Sequence, residues 1–463
     1  MARSVAASIR AGLGPDAPVQ VEACGALAGP PDATVRLVVH DGALAHLART
    51  PGELGFARAY VEGSLDVEGD LVALVRARAR TGTVQLPLHD RMALLRAVGV
   101  DPWRRAPAIP AEEAPPPTRT GRHSRRRDHR AIRHHYDVGN AFYELLLGPS
   151  MVYSCAYFGA DDDTLETAQH DKLELVCRKL GLRPGMRLLD VGCGWGSLVV
   201  HAARHHGVEA VGITLSARQA AYARDRVAAA GLGHRVEIRE ADYRDLRRER
   251  FDAVASVGMV EHVGRSELVA YFRCLHDALT PQGRLLNHQI GLGHDPRHPG
   301  RRTAQLDPDG FMQRYVFPGG ELHDIGELVA CLQQSGLEAR HVESLREHYT
   351  WTTRRWLANL ERHEAEVVRL VGPARARVWR LYLAGASVGF ETGALQVHQV
   401  LAVRTPTAGP DRGRSAFPLR ADLALPRRLS VEPPANGPRR GSDGPVDRPR
   451  SSVRTNRTAT SMG

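Results

Sequence analysis

Short apolar runs alternate with helical patterns through the middle of the chain. The length and composition of these runs are typical of buried strands, and they lie at residues 186–191, 208–213, 235–239, 251–257 and 283–290. Strands that alternate with helices favour an α/β fold with a doubly wound, mostly parallel, Rossmann-like sheet. Further along are two strand candidates, 337–345 and 394–403, and two long helical stretches, 351–371 and 374–390. We expect these helices to form a cap on the sheet.

The two ends of the chain follow other patterns. Alternating residues at 34–40 and an amphipathic stretch at 70–80 predict a small N-terminal α/β domain. A segment dense in Pro, Ala and Glu then indicates a linker. The last segment has few apolar residues, so it cannot bury enough surface to fold and is predicted to be disordered. The predicted boundaries are 1–104 for the N-terminal domain, 105–125 for the linker, 126–404 for the larger α/β domain and 405–463 for the basic tail.

The charge of the chain predicts an anionic partner. The formal net charge is +10, from 62 basic and 52 acidic side chains, and Lys172 and Lys179 are the only lysines. A basic surface suits either nucleic acid or an anionic membrane face. An arginine-rich cluster at 122–133 is the candidate docking segment. The sequence has no zinc-finger spacing, no RNP-like segment and no aromatic-interleaved basic stripe, which disfavours nucleic acid.

Cysteine spacing and hydropathy indicate the compartment. The six cysteines form no C-x-x-C pair, which is typical of reduced thiols, and no metal site is predicted. No apolar run approaches the roughly 20 residues of a membrane span, and the N-terminus lacks the apolar segment of a secretory signal. We therefore expect a cytoplasmic protein that reaches any membrane from its surface.

A glycine-rich loop follows the first predicted strand of the larger domain. Residues 188–196 read Leu-Leu-Asp-Val-Gly-Cys-Gly-Trp-Gly, and a predicted helix from Ser197 to His206 comes next. Glycines at such a turn let the backbone approach a ligand closely. The G-x-G-x-G spacing is one residue shorter than the dinucleotide fingerprint, and the next strand ends in Thr214-Leu215-Ser216 with no acid to hold a ribose. Both departures disfavour a nicotinamide cofactor and favour S-adenosylmethionine; a tight turn without a ligand is the alternative.

Polar side chains follow two other predicted strands. Glu261 comes just after 251–257, and His288 lies near the end of 283–290. Ligands of open α/β sheets bind beyond the carboxyl ends of the strands, so we expect both side chains near the glycine loop. Each has a structural alternative, since Glu261 could be a first-turn acid and His288 a satisfied core residue. Likewise Cys155 could be a buried filler, and Tyr349 could pack against the neighbouring tryptophans.

Taken together, residues 126–403 resemble the cyclopropane-fatty-acyl-phospholipid synthase family and its mycolic-acid relatives. The motifs that carry the resemblance are His-Tyr-Asp-Val-Gly-Asn (135–140), Tyr-Ser-Cys-Ala-Tyr (153–157), the glycine loop, Gly-Ile-Thr-Leu-Ser (212–216) with Gln219, Asp-Tyr-Arg-Asp (242–245), Ser-Val-Gly-Met-Val-Glu-His-Val-Gly (256–264) and Gln-Arg-Tyr-Val-Phe-Pro-Gly-Gly (313–320). The segment Ala-Tyr-Val-Glu-Gly-Ser at 59–64 resembles the N-terminal domain of the bacterial phospholipid enzymes. The resemblance favours a membrane phospholipid as the substrate.

The resemblance implies a methyltransferase that converts the cis double bond of an unsaturated phospholipid acyl chain into a cyclopropane ring. It implies bicarbonate as the base, with Glu261 orienting His288, and the residues that would hold bicarbonate are Cys155, Glu261, His288, Tyr349 and the backbone amide of Ile290. The implied S-adenosylmethionine ligands are Tyr153, Ser154, Asp190, Gly192, Gly194, Gly196, Thr214, Leu215, Gln219, Asp242 and Tyr243. Peripheral association with the anionic inner face of the cell membrane and a homodimer are also expected.

Three other functions fit parts of this pattern. The same methylation ends in a methyl or methylene branch if the cation loses a different proton or is reduced. A methyltransferase for a small polar acceptor needs the glycine loop but neither the N-terminal domain nor the bicarbonate set. A catalytically idle lipid- or nucleotide-binding protein is the third alternative, which the complete set of polar residues disfavours.

Overall fold

The computed structural model describes residues 2–14, 17–50, 52–81, 108–115, 138–246, 249–294, 307, 310–407 and 417. These residues belong to one compact unit, Met1–Leu425. The basic cluster predicted at 122–133 and most of the tail predicted at 405–463 lie outside the described residues.

Within its described residues, the N-terminal part contains a four-stranded sheet and four helices. The strands are β1 (Val19–Ala23), β2 (Ala26–Ala28), β3 (Val35–Val39) and β4 (Leu65–Gly69), and the helices are α1 (Ala2–Ala11), α2 (Asp41–Arg49), α3 (Glu53–Glu62) and α4 (Leu71–Thr81). The strand order is β2-β1-β3-β4. Every second residue of β1 and β3 is buried, as expected for a sheet with one face on the core.

The larger part contains a seven-stranded sheet. Its strands are β5 (Arg187–Val191), β6 (Glu209–Thr214), β7 (Val236–Glu240), β8 (Phe251–Val257), β9 (Leu279–Leu292), β10 (Leu337–Ser344) and β11 (Leu395–Arg404). Its helices are α5 (Asn140–Leu147), α6 (Leu165–Leu180), α7 (Ser197–His206), α8 (Ala217–Ala229), α9 (Leu268–Ala278), α10 (Ile325–Gln334), α11 (Arg346–Arg362), α12 (Glu364–Val371) and α13 (Pro373–Glu391). Among the described residues no helix is both long enough and apolar enough to cross a bilayer.

The seven strands form a doubly wound sheet, as predicted. Their order is β10-β11-β9-β8-β5-β6-β7, and β11 alone runs antiparallel to its neighbours. Successive residues of β5 point to opposite faces, so Leu188 packs in the core under α6, α7 and α8, whereas Leu189 packs in the core under α9 and α10. The chain reverses direction across the sheet between β7 and β8, which puts a crevice beyond the carboxyl ends of β5 and β8.

The N-terminal part and the helical cap share one hydrophobic cluster. Leu44 and Tyr60 from the N-terminal part lie in the same cluster as Phe142, Trp356 and Trp379 from α5, α11 and α13. Polar contacts join the same surfaces, because Arg76 of α4 pairs with Glu391 at the end of α13 at 2.8 Å. Burial of aromatic side chains across this boundary stabilises the packing of the two parts.

The described part of the predicted linker, residues 108–115, is held in place by one buried side chain rather than being a simple connector. The Glu113 side chain is 0 % exposed and accepts two hydrogen bonds from Arg58 of α3, at 2.7 and 2.8 Å. It also accepts from Arg314 and, at 3.0 Å, from the Tyr315 hydroxyl. The Ala114 N–H donates to the Arg314 carbonyl at 2.6 Å. Residues 108–115 therefore join the N-terminal part to the segment after β9.

We expect the substitution Glu113→Ala to destabilise the protein strongly. The change leaves the guanidinium groups of Arg58 and Arg314 buried without their carboxylate, and loss of one partner from a buried ion pair costs about 3–5 kcal/mol. Urea unfolding followed by tryptophan fluorescence measures the loss, with the neighbouring Glu112→Ala as the matched control. If both variants unfold at the wild-type urea concentration, Glu113 contributes no stability.

Candidate active site

The glycine loop has a backbone conformation that side chains rarely adopt. Gly192, Gly194 and Gly196 have φ values of 80°, 54° and 80°. A Cβ on Gly192 would overlap the thioether of Met259. The N–H groups of Gly192 and Cys193 both donate to the Ile213 carbonyl at 2.9 Å, which fastens the loop to the end of β6. The three glycines are therefore required by the shape of the turn.

A cavity of about 150 Å³ lies against this loop. Most of the residues predicted to bind S-adenosylmethionine line it, namely Tyr153, Ser154, Asp190, Gly192, Gly194, Thr214, Leu215, Gln219 and Tyr243. The Thr214 hydroxyl donates to Gln219 Oε1 at 2.8 Å, so these two side chains hold each other in the cavity wall. The carboxyl ends of β5 and β6 thus bring together side chains that are far apart in sequence.

Two residues of the predicted cofactor set do not line the cavity. Gly196 is the N-cap of α7, where an added Cβ would lie 3.1 Å from the Ala223 Cβ. The Asp242 carboxylate instead accepts hydrogen bonds from the Nε and Nη2 atoms of Arg244, at 2.8 and 2.6 Å. Gly196 is needed for the close packing of α7 on α8, and Asp242 binds the neighbouring guanidinium.

Lys172 is a cavity residue that the sequence analysis missed. It lies on α6, is 3 % exposed, and lines the same cavity as Asp190. Burial lowers the pKa of Lys172 to about 8 and raises the pKa of Asp190 to about 7, while the attraction between the two charges opposes both shifts. The composition could have indicated Lys172, because only two of the 62 basic residues of the chain are lysines.

A second, larger cavity of about 650 Å³ adjoins the first. Apolar side chains from the N-terminal part and from the cap form most of its wall, among them Leu13, Leu37, Phe56, Leu74, Leu381 and Phe390. Glu261, His288, Ile290 and Tyr349 also line it. The two cavities share Tyr153, Ser154, Gly258 and His262 as lining residues. A cofactor bound in the first cavity would therefore face an apolar ligand in the second.

Glu261 lies on a 3-10 turn, Val260–His262, directly after β8. Its Oε1 accepts a hydrogen bond from the Ile290 N–H at 2.6 Å, and its buried Oε2 has no hydrogen-bond partner within the described part of the chain. Burial raises the pKa of Glu261 to about 7. We predicted that Glu261 orients His288. In the structure, Glu261 instead accepts a hydrogen bond from the Ile290 N–H, the group that was expected to hold bicarbonate.

Gln399, rather than Glu261, orients His288. Gln399 Nε2 donates to His288 Nδ1 at 3.2 Å, and Gln399 Oε1 accepts from Lys179 Nζ at 2.6 Å. Lys179 in turn pairs with Glu343. Because the ammonium group can only donate, it fixes which end of the Gln399 amide faces His288.

This chain of contacts determines the protonation of His288. Burial, together with the charges of Lys172 and Lys179, lowers the pKa of His288 well below its usual value, so the imidazole is neutral. Its Nδ1 accepts from Gln399, and the remaining proton is therefore on Nε2. The buried Nε2 has no hydrogen-bond partner among the described residues. His288 thus has an N–H donor without a partner among the described residues, on a side chain that lines the larger cavity.

Comparison with known proteins identifies the family. The family model for mycolic acid cyclopropane synthetase matches residues 123–400. A probable fatty acid methyltransferase of Mycobacterium tuberculosis is 43% identical over 406 residues, which cover 86% of this chain and 92% of the relative. A probable fatty acid methyltransferase of Pseudomonas putida is 41% identical over 376 residues, covering 81% and 88%. The chain belongs to the mycolic acid cyclopropane synthetase family.

A solved structure agrees with this assignment. Mycolic acid cyclopropane synthase CmaA1, solved in complex with SAH and CTAB, is 32% identical and has a TM-score of 0.56. The match covers 59% of this chain and 98% of that structure. Together with the doubly wound sheet and its reversed strand β11, family membership makes this chain an S-adenosylmethionine-dependent methyltransferase.

The remaining family site residues have different surroundings. Tyr349 lines the larger cavity and stacks on Phe390, with ring centroids 4.4 Å apart. Cys155 lines neither cavity, although it was predicted to hold bicarbonate. Its buried thiol lies within hydrogen-bond distance of the carbonyls of Ala156 and Leu345, at 3.2 and 3.6 Å, and burial raises the pKa of this thiol. In this structure the thiol is therefore a packing group beside the site.

We expect the substitution Gln399→Leu to lower kcat without changing the KM for S-adenosylmethionine. The change removes the amide that fixes the His288 tautomer, and partners that orient a functional imidazole are worth about 10- to 100-fold. The ¹⁵N chemical shifts of the imidazole measure the tautomer directly. Gln396→Leu, on the same strand, is the matched control. A Gln399→Leu enzyme with wild-type kcat and an unchanged tautomer would contradict this role.

Proposed function

We propose that this enzyme transfers the methyl carbon of S-adenosylmethionine to the cis double bond of an unsaturated phospholipid acyl chain and closes a cyclopropane ring. The observation that supports this proposal is the junction of the two cavities. The glycine loop lines one cavity, hydrocarbon side chains line the other, and Glu261, His288 and Tyr349 lie in the wall of the second. Carbon methylation of a hydrocarbon needs a polar cleft for the cofactor beside an apolar one for the chain.

The size and composition of the larger cavity suit a long acyl chain. Its volume of about 650 Å³ is in the usual range for a specific ligand site. Leu37, Phe56 and Leu74 bring the N-terminal part into its wall. The CmaA1 structure matches only 59% of this chain, whereas the two fatty acid methyltransferases match more than 80% of it. We assign a membrane phospholipid substrate because the N-terminal part forms a share of the cavity wall.

The smaller cavity has the donor set that S-adenosylmethionine needs. When bound, the cofactor supplies an electrophilic sulfonium methyl group. The glycine loop gives close backbone approach, the Asp190 carboxylate and the side chains of Thr214 and Gln219 offer polar contacts, and Lys172 balances the charge of Asp190. Tyr153 and Ser154 belong to both cavities, so they hold the reacting groups against each other.

Two orphaned polar atoms suit a small anion such as bicarbonate. Glu261 Oε2 and His288 Nε2 are buried without hydrogen-bond partners among the described residues, in side chains that line the larger cavity. The neutral imidazole donates from Nε2, and a carboxyl group with a pKa near 7 can donate when protonated. The bound anion would supply a base. In this proposal neither Cys155 nor the Ile290 N–H binds the anion.

The reaction balances with these groups. One alkene carbon bonds to the methyl carbon as the carbon–sulfur bond breaks, and the positive charge passes to the other alkene carbon. Loss of a proton from the new methyl group closes the ring between that methyl carbon and the cation. The apolar wall excludes water, which would otherwise trap the cation as an alcohol. The face of the Tyr349 ring can stabilise the cation if the acyl chain lies over the ring.

The membrane is reached from the cytoplasmic side in this proposal. No described helix is suited to crossing a bilayer, and the net charge of +10 favours an anionic lipid surface. Docking through the basic cluster at 122–133 and formation of a homodimer both remain predictions.

Isotope labelling of the product tests the proposed function. Purified protein is incubated with methyl-deuterated S-adenosylmethionine, bicarbonate and vesicles of unsaturated phosphatidylglycerol and phosphatidylethanolamine, and the lipids are analysed by mass spectrometry. We expect a product that retains two deuteriums and resists hydrogenation, because ring closure removes one deuterium. The rate should fall in bicarbonate-free buffer and recover when bicarbonate is returned.

Other isotope patterns would overturn parts of the proposal. A product with three deuteriums would mean a methyl branch instead of a ring. Labelling at full rate without bicarbonate would exclude the anion as the base. Unlabelled lipid from a protein that still binds S-adenosylmethionine would favour a small polar acceptor or a binding protein without activity.

Gly385→Phe provides a structural test of the acyl site. Gly385 lies on α13 and lines the larger cavity, and a Cβ at this position meets nothing within 4 Å. A phenylalanine therefore fits the helix and fills the cavity. We expect lipid methylation to fall at least tenfold, while the Kd for S-adenosylmethionine, measured by calorimetry, stays unchanged.

The matched control is Gly233→Phe, at an exposed glycine whose Cβ would also meet open space. Lipid methylation at the wild-type rate by the Gly385→Phe enzyme would show that the acyl chain binds elsewhere. A circular dichroism spectrum and a melting temperature like those of the wild type would confirm that the variant is folded.

A further inference from the structure

Four histidines and a glutamate lie close together where α6 packs beside α7, namely His170, His201, His205, His206 and Glu174. His170 and Glu174 are four residues apart on α6, and His201 and His205 are four residues apart on α7, so each pair occupies one helix face. The ring centroids of His170 and His201 are 4.8 Å apart, and those of His201 and His205 are 4.6 Å apart. No motif of the sequence analysis included these residues, and the reaction proposed above does not use them.

The geometry of this histidine cluster suits a metal ion. One ligand atom from each of His170, His201 and His205 lies within 4.8 Å of the other two. A tetrahedral zinc ion with bonds of about 2.0–2.1 Å holds its ligand atoms roughly 3.4 Å apart. Small rotations of the imidazole rings therefore bring the three nitrogens to one ion, with the fourth position left for water.

A carboxylate of the cluster lies behind one of the three imidazoles. Glu174 accepts hydrogen bonds from Nε2 of both His201 and His206, at 3.2 and 2.9 Å. A carboxylate behind a ligating imidazole is the usual support of such a site.

We infer that His170, His201 and His205 bind one divalent transition-metal ion of the zinc class, with Glu174 supporting His201. His201 is buried, His170 is half-buried and His205 is exposed, so an ion reaches the site from solvent. The ion would join α6, which carries Lys172 and Lys179, to α7, which begins at the glycine loop. Its role is to stabilise the helices behind the cofactor cavity, and the inference does not depend on the identity of the lipid substrate.

A second group of potential ligands, Cys177, His201 and His206, shares His201 with the first. We assign the metal to the three histidines because Cys177 and His201 are both buried, whereas the first group includes the exposed His205, through which an ion can enter from solvent.

Titration of the metal-free full chain with Zn²⁺ tests the site. After dialysis against EDTA and then chelator-free buffer, calorimetry should show one Zn²⁺ per chain with a Kd on the order of 1 μM or tighter. The melting temperature should rise with Zn²⁺, and Co²⁺ should give the visible absorption of a tetrahedral site. We expect His205→Gln and His170→Gln each to weaken Zn²⁺ binding at least tenfold. His205 is exposed, so its variant tests the site even where a His201 variant fails to fold.

His234→Gln, at an exposed histidine outside the cluster, and Cys177→Ser are the controls, and both should bind Zn²⁺ as the wild type does. Absence of stoichiometric Zn²⁺ binding would overturn the inference. An equal loss of binding in His234→Gln and His205→Gln would show nonspecific binding to surface histidines. A loss in Cys177→Ser with none in His205→Gln would place the ion at the second group and overturn the assignment to the three histidines.

Discussion

The active site depends on two ammonium groups that are buried on one helix beside the two cavities. Lys172 and Lys179 lie seven residues apart on one face of α6, and they are 3 % and 1 % exposed. A buried charge is costly unless a partner balances it, so each lysine requires one. Lys172 faces Asp190 beneath the glycine loop, and Lys179 binds Glu343 and Gln399. Through these contacts one helix sets the charge of the cofactor cavity and the tautomer of His288.

The larger cavity makes the N-terminal part a component of the active site. Side chains of α1, α3 and α4 contribute to its apolar wall. Its shape therefore depends on how the N-terminal part packs on α13, which the shared aromatic cluster and the buried Glu113 side chain hold in place. The same contacts that hold the N-terminal part on α13 therefore also shape the wall of the larger cavity.

Local patterns in the sequence were enough to predict the sheet and the glycine loop. β6 and β8 were expected at 208–213 and 251–257, and the structure has them at Glu209–Thr214 and Phe251–Val257. Strand β9 begins four residues earlier than predicted, because Leu279 already pairs with Phe251, after which the register shifts and regular pairing resumes at Arg284. The contacts of single side chains were harder to predict. Gln399 and Lys179 are 220 residues apart in sequence, and nothing in either local pattern indicates that they touch.

Glu261 and His288 differ in what they can do with a proton. Glu261 has one oxygen bound to the Ile290 N–H, and burial raises its pKa to about 7, which makes its carboxylate a stronger base than an exposed one. His288 has its accepting nitrogen bound to Gln399 and presents only an N–H. Of the two side chains, only Glu261 can therefore take a proton, whereas the His288 N–H can donate to an anion. In the proposed reaction, bound bicarbonate would take the proton in place of Glu261, which would spare that carboxylate alkylation by the cation.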